Sequence, residues 1–250
     1  NMRGAPLLYA GVGTGILVSA ELIGAGNVFA MHSHGLWMTL AAAAGVLSAI
    51  AWRIVSGYQA RPKPVGAQSA GNEAGDALRP WPLILIYGLA GFGYIVTATY
   101  LPLFVRNAVG QVDPIHIWAV FGLGAAPSCF LWHALHVRLG TRRALALNLA
   151  VQAAGVVLPV ISLSPLFCLA SSLLVGGTFV GTVTIAMPAA RRLATAVRFN
   201  IFATMTASYG VGQIAGPILS DLLYRQAHSF NLPLLAAGGA LAVAAGLCLV

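Results

Sequence analysis

The chain has 250 residues, 59% of them hydrophobic and only 7% charged, with a mean hydropathy of +0.87. A soluble domain carries about 25% charged residues, so a soluble protein is excluded and a polytopic membrane protein is predicted. The net charge of +8 would suit a nucleic-acid partner in a soluble chain. Here the basic residues fall in short connections between apolar spans, where they set orientation in the bilayer instead.

A helix needs roughly 20 apolar residues to cross the hydrocarbon core. Eight stretches meet this need, at about 6–25, 36–55, 82–105, 115–135, 144–160, 165–187, 201–223 and 234–250. Each run is continuously apolar rather than alternating, and an open sheet edge cannot be satisfied in lipid, so the expected fold class is all-α, a helix bundle. Between the second and third spans lies the only long polar run, residues 56–80. It is rich in Gly, Pro, Ala and Ser and has no apolar period, which predicts a cytoplasmic linker between residues 1–55 and 81–250.

Alternate connections collect very different charge. One side holds Arg3, Arg53, Arg61, Lys63, Arg79, Arg138, Arg142, Arg143, Arg191, Arg192 and Arg198, and the other only Arg106 and Arg225. The positive-inside rule then places both termini and the linker in the cytoplasm of a cell with the chain in its inner (plasma) membrane. The chain starts at Asn1 and ends in the apolar Leu247, Cys248, Leu249 and Val250, without a polar tail. This reads as a fragment.

Several helices carry small or polar residues at contact spacing. Gly11 with Gly15, Gly177 with Gly181, and Gly212 with Gly216 are predicted to let backbones approach closely. Ala126-Pro127 and Gly216-Pro217 are predicted bends. At about 100° per residue, Gly93, Thr97, Tyr100 and Phe104 share a face of the third span with Tyr94 beside them. Ser171, Thr178 and Thr182 align on the sixth, and Thr206, Tyr209, Gln213, Gly216 and Ser220 on the seventh. Such faces turn toward protein or water, either lining a cavity or tying helices together.

Glu21 is the one acidic residue well inside a span. A carboxylate there costs on the order of 2.5–3.5 kcal/mol on insertion scales and tends to take up a proton, making Glu21 the candidate for proton coupling. Its rival role is an interfacial Glu that reaches headgroup water or pairs with a histidine such as His32. His133 and His136 stand at i, i+3 spacing without carboxylate or thiolate support, so no metal is assigned. Cys129, Cys168 and Cys248 lie within hydrophobic runs and read as small buried apolar residues. No nucleophile elbow, phosphate loop or paired-carboxylate pattern occurs, so neither an enzyme nor a cofactor is expected.

Four stretches carry a resemblance: Gly91-Phe-Gly-Tyr-Ile-Val-Thr-Ala-Thr-Tyr-Leu-Pro102, Phe121-Gly-Leu-Gly-Ala-Ala-Pro-Ser128, Gly176-Gly-Thr-Phe-Val-Gly181 and Ala207-Ser-Tyr-Gly-Val-Gly-Gln-Ile-Ala-Gly-Pro217. In their order and helical positions they resemble the YbfB-type branch of the major facilitator superfamily. The resemblance implies that the first two spans correspond to helices five and six, the last six to a complete C-terminal half, and that helices one to four have no counterpart. The connection at Arg138, Gly140 and Arg142 is similar to the superfamily's basic loop, with Val137 and His133 departing from it.

The resemblance also implies a secondary active transporter that moves a small solute by alternating access. Tyr94, Thr97, Tyr100, Thr178, Tyr209 and Gln213 are the residues it suggests for substrate binding, and a proton is the candidate coupling ion. The expected partners are thus a small-molecule substrate and the lipid bilayer. A membrane scaffold or sensor without transport activity is the alternative.

Overall fold

The structure, a computed structural model, describes residues 4–56, 78–108 and 113–250. Most of the predicted linker, residues 57–77, lies outside them. The described residues form helices α1 (Gly4–Val28), α2 (Ser33–Ser56), α3 (Pro80–Ala108), α4 (Pro114–Ile161), α5 (Pro165–Leu193), α6 (Ile201–Ala227) and α7 (Asn231–Leu247), with no strand among them.

At 48 residues, α4 would measure about 72 Å if straight, more than twice a bilayer core. It is broken at Gly140, whose backbone (φ 80°, ψ 175°) is one that side chains with a Cβ rarely adopt. The arms, α4a (114–139) and α4b (141–161), fold back beside each other. Trp132 and Asn148 flank the break by eight residues each, yet both lie against Gly181 of α5. In a straight helix they would be about 24 Å apart. Helices therefore cover all eight predicted stretches, the fourth and fifth as a hairpin.

α1 to α5 are long and apolar enough to cross a membrane, α4 with room for two crossings. α6 has 27 residues but is more polar, and α7 is apolar with 17.

Helix starts follow the sequence. Asp113, Ser164 and Asn200 cap α4, α5 and α6, each side chain accepting a backbone N–H of the first turn, with Pro114 and Pro165 at the first position of their helices. α5 lies between both arms of α4, α3 lies along α6 and α7, and α4 also meets α1 and α7. The main core includes Leu83, Ile86, Leu145, Leu149, Ile185, Met205 and Leu241. All three cysteines are free and buried, as expected. Among the described residues, α2 touches only α1 and buries none of its own.

Glycines set the closest approaches. Gly212 and Gly216 of α6 face Gly88, Phe92 and Ile95 of α3, as their spacing predicts. Gly176 meets Phe121 of α4a, and a Cβ on Gly124 would lie 2.5 Å from the Leu173 carbonyl oxygen. The prediction for α1 is corrected: Gly11 and Gly15 have nothing within 4 Å, while Gly13 lies against the Ala126 backbone. Three glycines alternate here, and spacing alone does not say which face meets a neighbour.

At the cytoplasmic end predicted for the Gly140 break, the Arg142 Nε donates to the Cys248 carbonyl at 2.9 Å. A cation thus completes the C-terminus of α7, where the helix dipole favours positive charge.

Candidate substrate cavity

The middle of α3 brings Tyr94 into a chain of rings drawn from four helices. Tyr94 stacks on Phe179 of α5, with centroids 4.4 Å apart and planes at 20°. It lies 6.3 Å from both Tyr209 of α6 and Phe121 of α4a. Tyr209 rests on Tyr87 at 4.8 Å, and Phe121 on Trp118 at 5.5 Å. Ring pairs at such distances contribute about 0.5–1.5 kcal/mol each beyond simple burial, so the chain fixes α3, α4a, α5 and α6 relative to one another.

Beside this wall opens a cavity of about 410 Å³, lined by Tyr94, Ile95, Ala98, Thr99 and Pro102 of α3 and by Pro114 and Trp118 of α4a. That volume falls in the range of small-molecule sites. A crevice of about 10 Å³ adjoins it, sharing Ala98, Pro102 and Trp118 and adding Thr97, Ile117, Phe121 and Ser172 among its walls. No charged side chain lines either space among the described residues. Asp113 precedes Pro114, and its carboxylate accepts the Ile115 backbone N–H at 2.9 Å.

The residues suggested for substrate binding fall in different places. Tyr94 lines the cavity, and Thr97 lines the crevice with its Oγ1 buried and unpartnered. Tyr209 joins the ring wall behind Tyr94. Tyr100 binds α3 to α6, donating its hydroxyl to the Pro217 carbonyl at 3.3 Å. Gln213 is half-buried on α6 and lines neither space.

Thr178 points elsewhere. Its hydroxyl donates to the Leu174 carbonyl at 2.7 Å, and its own carbonyl accepts the Asn148 amide at 3.1 Å, in the seam between α5 and α4b. Phe179, one residue and about 100° further round the helix, is the side chain that reaches Tyr94. On α3, Gly93 faces Leu241 of α7 rather than the cavity. The Phe104 side chain lies outside the described residues.

Sequence reasoning missed Trp118, Phe121 and Phe179. An i, i+3 pair of rings at the start of the fourth span and a ring within Gly176–Gly181 were the available signals.

Glu21 is exposed on α1 and makes no hydrogen bond or ion pair with a described residue, His32 included. Gly13 lies against Ala126, Gly122 against Leu17 and Gly24 against Ile115. This antiparallel register sets Glu21 at the height of Trp118.

The family described as "uncharacterised MFS-type transporter YbfB" matches residues 3–249, nearly the whole chain. The chain belongs to this family. It is thus a multi-pass membrane protein of a major facilitator transporter family, with a helical bundle as its fold. No curated protein matches it. Membership of a transporter family favours transport of a small molecule over catalysis.

Proposed function

We propose that the protein is a secondary carrier that moves a small solute by alternating access, with the solute held near the membrane midplane beside Tyr94. The carrying observation is the cavity itself. It opens against rings from α3 and α4a, which further rings join to α5 and α6, so these four helices offer one fixed wall against which the other bundle can move. Residues 1–55 act as the last two helices of one bundle and 81–250 as the other. Among the described residues α2 meets no helix but α1, while α1 itself packs across the division on α4. The basic residues at 138–143 and 191–198 support an inner-membrane orientation with both termini cytoplasmic.

Glu21 supplies the proton coupling. It stands at the height of the cavity and is unpaired among the described residues. The test is uptake into proteoliposomes of a defined panel of labelled amino acids, sugars, nucleosides and phenols, with and without an imposed pH gradient. At least one member is expected to enter saturably. Glu21→Gln should abolish its gradient-driven accumulation and leave exchange of the same solute intact. No saturable uptake of any member would contradict the carrier, and unchanged accumulation would remove Glu21.

A further inference from the structure

We propose that the carrier's substrate is an uncharged, planar aromatic molecule of one or two rings with one hydrogen-bonding substituent. The rings would lie against Tyr94 and Trp118, and the substituent would reach Thr97 Oγ1. This rests on the carrier reading and names the chemistry of the same cavity.

Three observations converge. First, the walls present rings, aliphatic groups and the Thr99 side chain, and no charged side chain lines either space among the described residues. The nearest carboxylate in sequence, Asp113, is engaged as the cap of α4. An ion entering such a site would give up water without a partner, which is costly, whereas a flat neutral ring gains stacking contacts. Trp118 has one described ring neighbour, Phe121, at 55°, which leaves it able to take another.

Second, Thr97 is 1% exposed and its Oγ1 has no hydrogen-bond partner. An unpaired buried hydroxyl is unusual enough to need a cause. Its neighbour across the crevice, Ser172, donates its own hydroxyl to the Ile117 carbonyl at 2.5 Å, so of these two hydroxyls Thr97's is the one without a partner. Third, the crevice of about 10 Å³ beside Thr97 has room for one water-sized group and no more. A single hydroxyl, amino or carbonyl group on a ring fits there.

The test is binding to the protein in lipid nanodiscs, with empty nanodiscs as blank. The probes are 2-naphthol, naphthalene, 2-decahydronaphthol, 2-naphthoate and a naphthylmethyl trimethylammonium ion. Saturable binding of 2-naphthol is expected, at least tenfold tighter than that of its saturated counterpart or of either ion. Trp118→Leu and Tyr94→Leu, which keep apolar bulk without the ring, should each weaken it about tenfold. Thr97→Val, nearly the same shape, should weaken 2-naphthol about fivefold and leave naphthalene unchanged, since one hydrogen bond contributes about 1 kcal/mol. Variants are compared only where their melting temperatures match the parent, so Trp118→Leu and Thr97→Val decide if Tyr94→Leu does not fold.

Equal binding of the saturated probe, tighter binding of either ion, or indifference to Trp118 and Thr97 would overturn the substrate class. If a charged or sugar-like solute from the uptake panel were carried while 2-naphthol did not bind, the class would fail and the carrier would stand. If 2-naphthol bound as described but nothing were carried, the site would stand and the carrier would fail.

Discussion

Gly212→Ala is expected to destabilise the protein by about 1–3 kcal/mol, while Gly210→Ala, two residues away on the same helix, is expected to be neutral or stabilising. The difference lies in what a methyl group would meet. At Gly212 it would run into the Gly88 carbonyl oxygen and come within 2.8 Å of the Phe92 nitrogen, both backbone atoms of α3 that cannot rotate aside. At Gly210 nothing lies within 4 Å. There alanine simply gains the helix propensity that glycine lacks, about 0.8–1 kcal/mol.

Thermal unfolding in detergent, followed with size-exclusion profiles, gives the comparison. A large fall in melting temperature for the first variant and none for the second is the expected result. Equal behaviour of the two would mean that α6 does not meet α3 along this face. The displaced helix would also carry Tyr209 away from Tyr94, since Gly91 of α3 sits against the Tyr209 carbonyl and ring. The packing and the candidate site would therefore fail together.

The second large effect is at Trp132, 4% exposed, between α4a and α5. Its indole N–H donates to the Gly177 carbonyl at 2.7 Å and its ring lies against Gly181. In a soluble protein much of the loss on Trp132→Ala would come from transfer to water. In a bilayer the unfolded chain stays in lipid, which is as apolar as the core, so that contribution nearly vanishes.

What remains is the hole. At about 24 cal/mol per Å³, a tryptophan-sized void that does not collapse costs about 3 kcal/mol. Trp132→Phe keeps most of the volume and loses one hydrogen bond, so it should cost only about 0.6–1 kcal/mol. The Asn148 pair with Thr182, at 2.7 Å, stays in place in both variants. Melting curves of the two side by side check this, and equal losses would mean that the hydrogen bond rather than packing holds the seam.

The same physics explains what could be read from the sequence. Span number and length follow from continuous apolar runs, because lipid tolerates no unpaired backbone. Hence all eight rods were legible, and so was the break between the fourth and fifth, which the Gly140 to Arg143 stretch announces. Helix facing was much less legible. In lipid a leucine is equally at home on either side of a helix, so apolar periodicity does not mark the inward face. Only small and polar residues do.

Those cues worked for Gly212 and Gly216 and failed for Gly11 and Gly15, where Gly13 makes the contact. They also favoured Thr178 over Phe179, although the hydroxyl turns back on its own helix and the ring reaches Tyr94. The cavity was legible in part, through Tyr94, and the adjoining crevice through Thr97. Its second ring wall was not, because Trp118 looks like any other apolar residue in a span.

Alternating access is tested most directly at Thr99, which is exposed and lines the cavity. Thr99→Cys would be placed in a background where Cys129, Cys168 and Cys248 are replaced by alanine, and the protein reconstituted in sealed liposomes. A membrane-impermeant maleimide is then applied from either side. The account predicts labelling from both faces, with a transported solute or an imposed proton gradient raising the rate on one side as it lowers the other. Labelling from one face alone under every condition would contradict it, and the cavity would then be a fixed pocket rather than the site of a carrier.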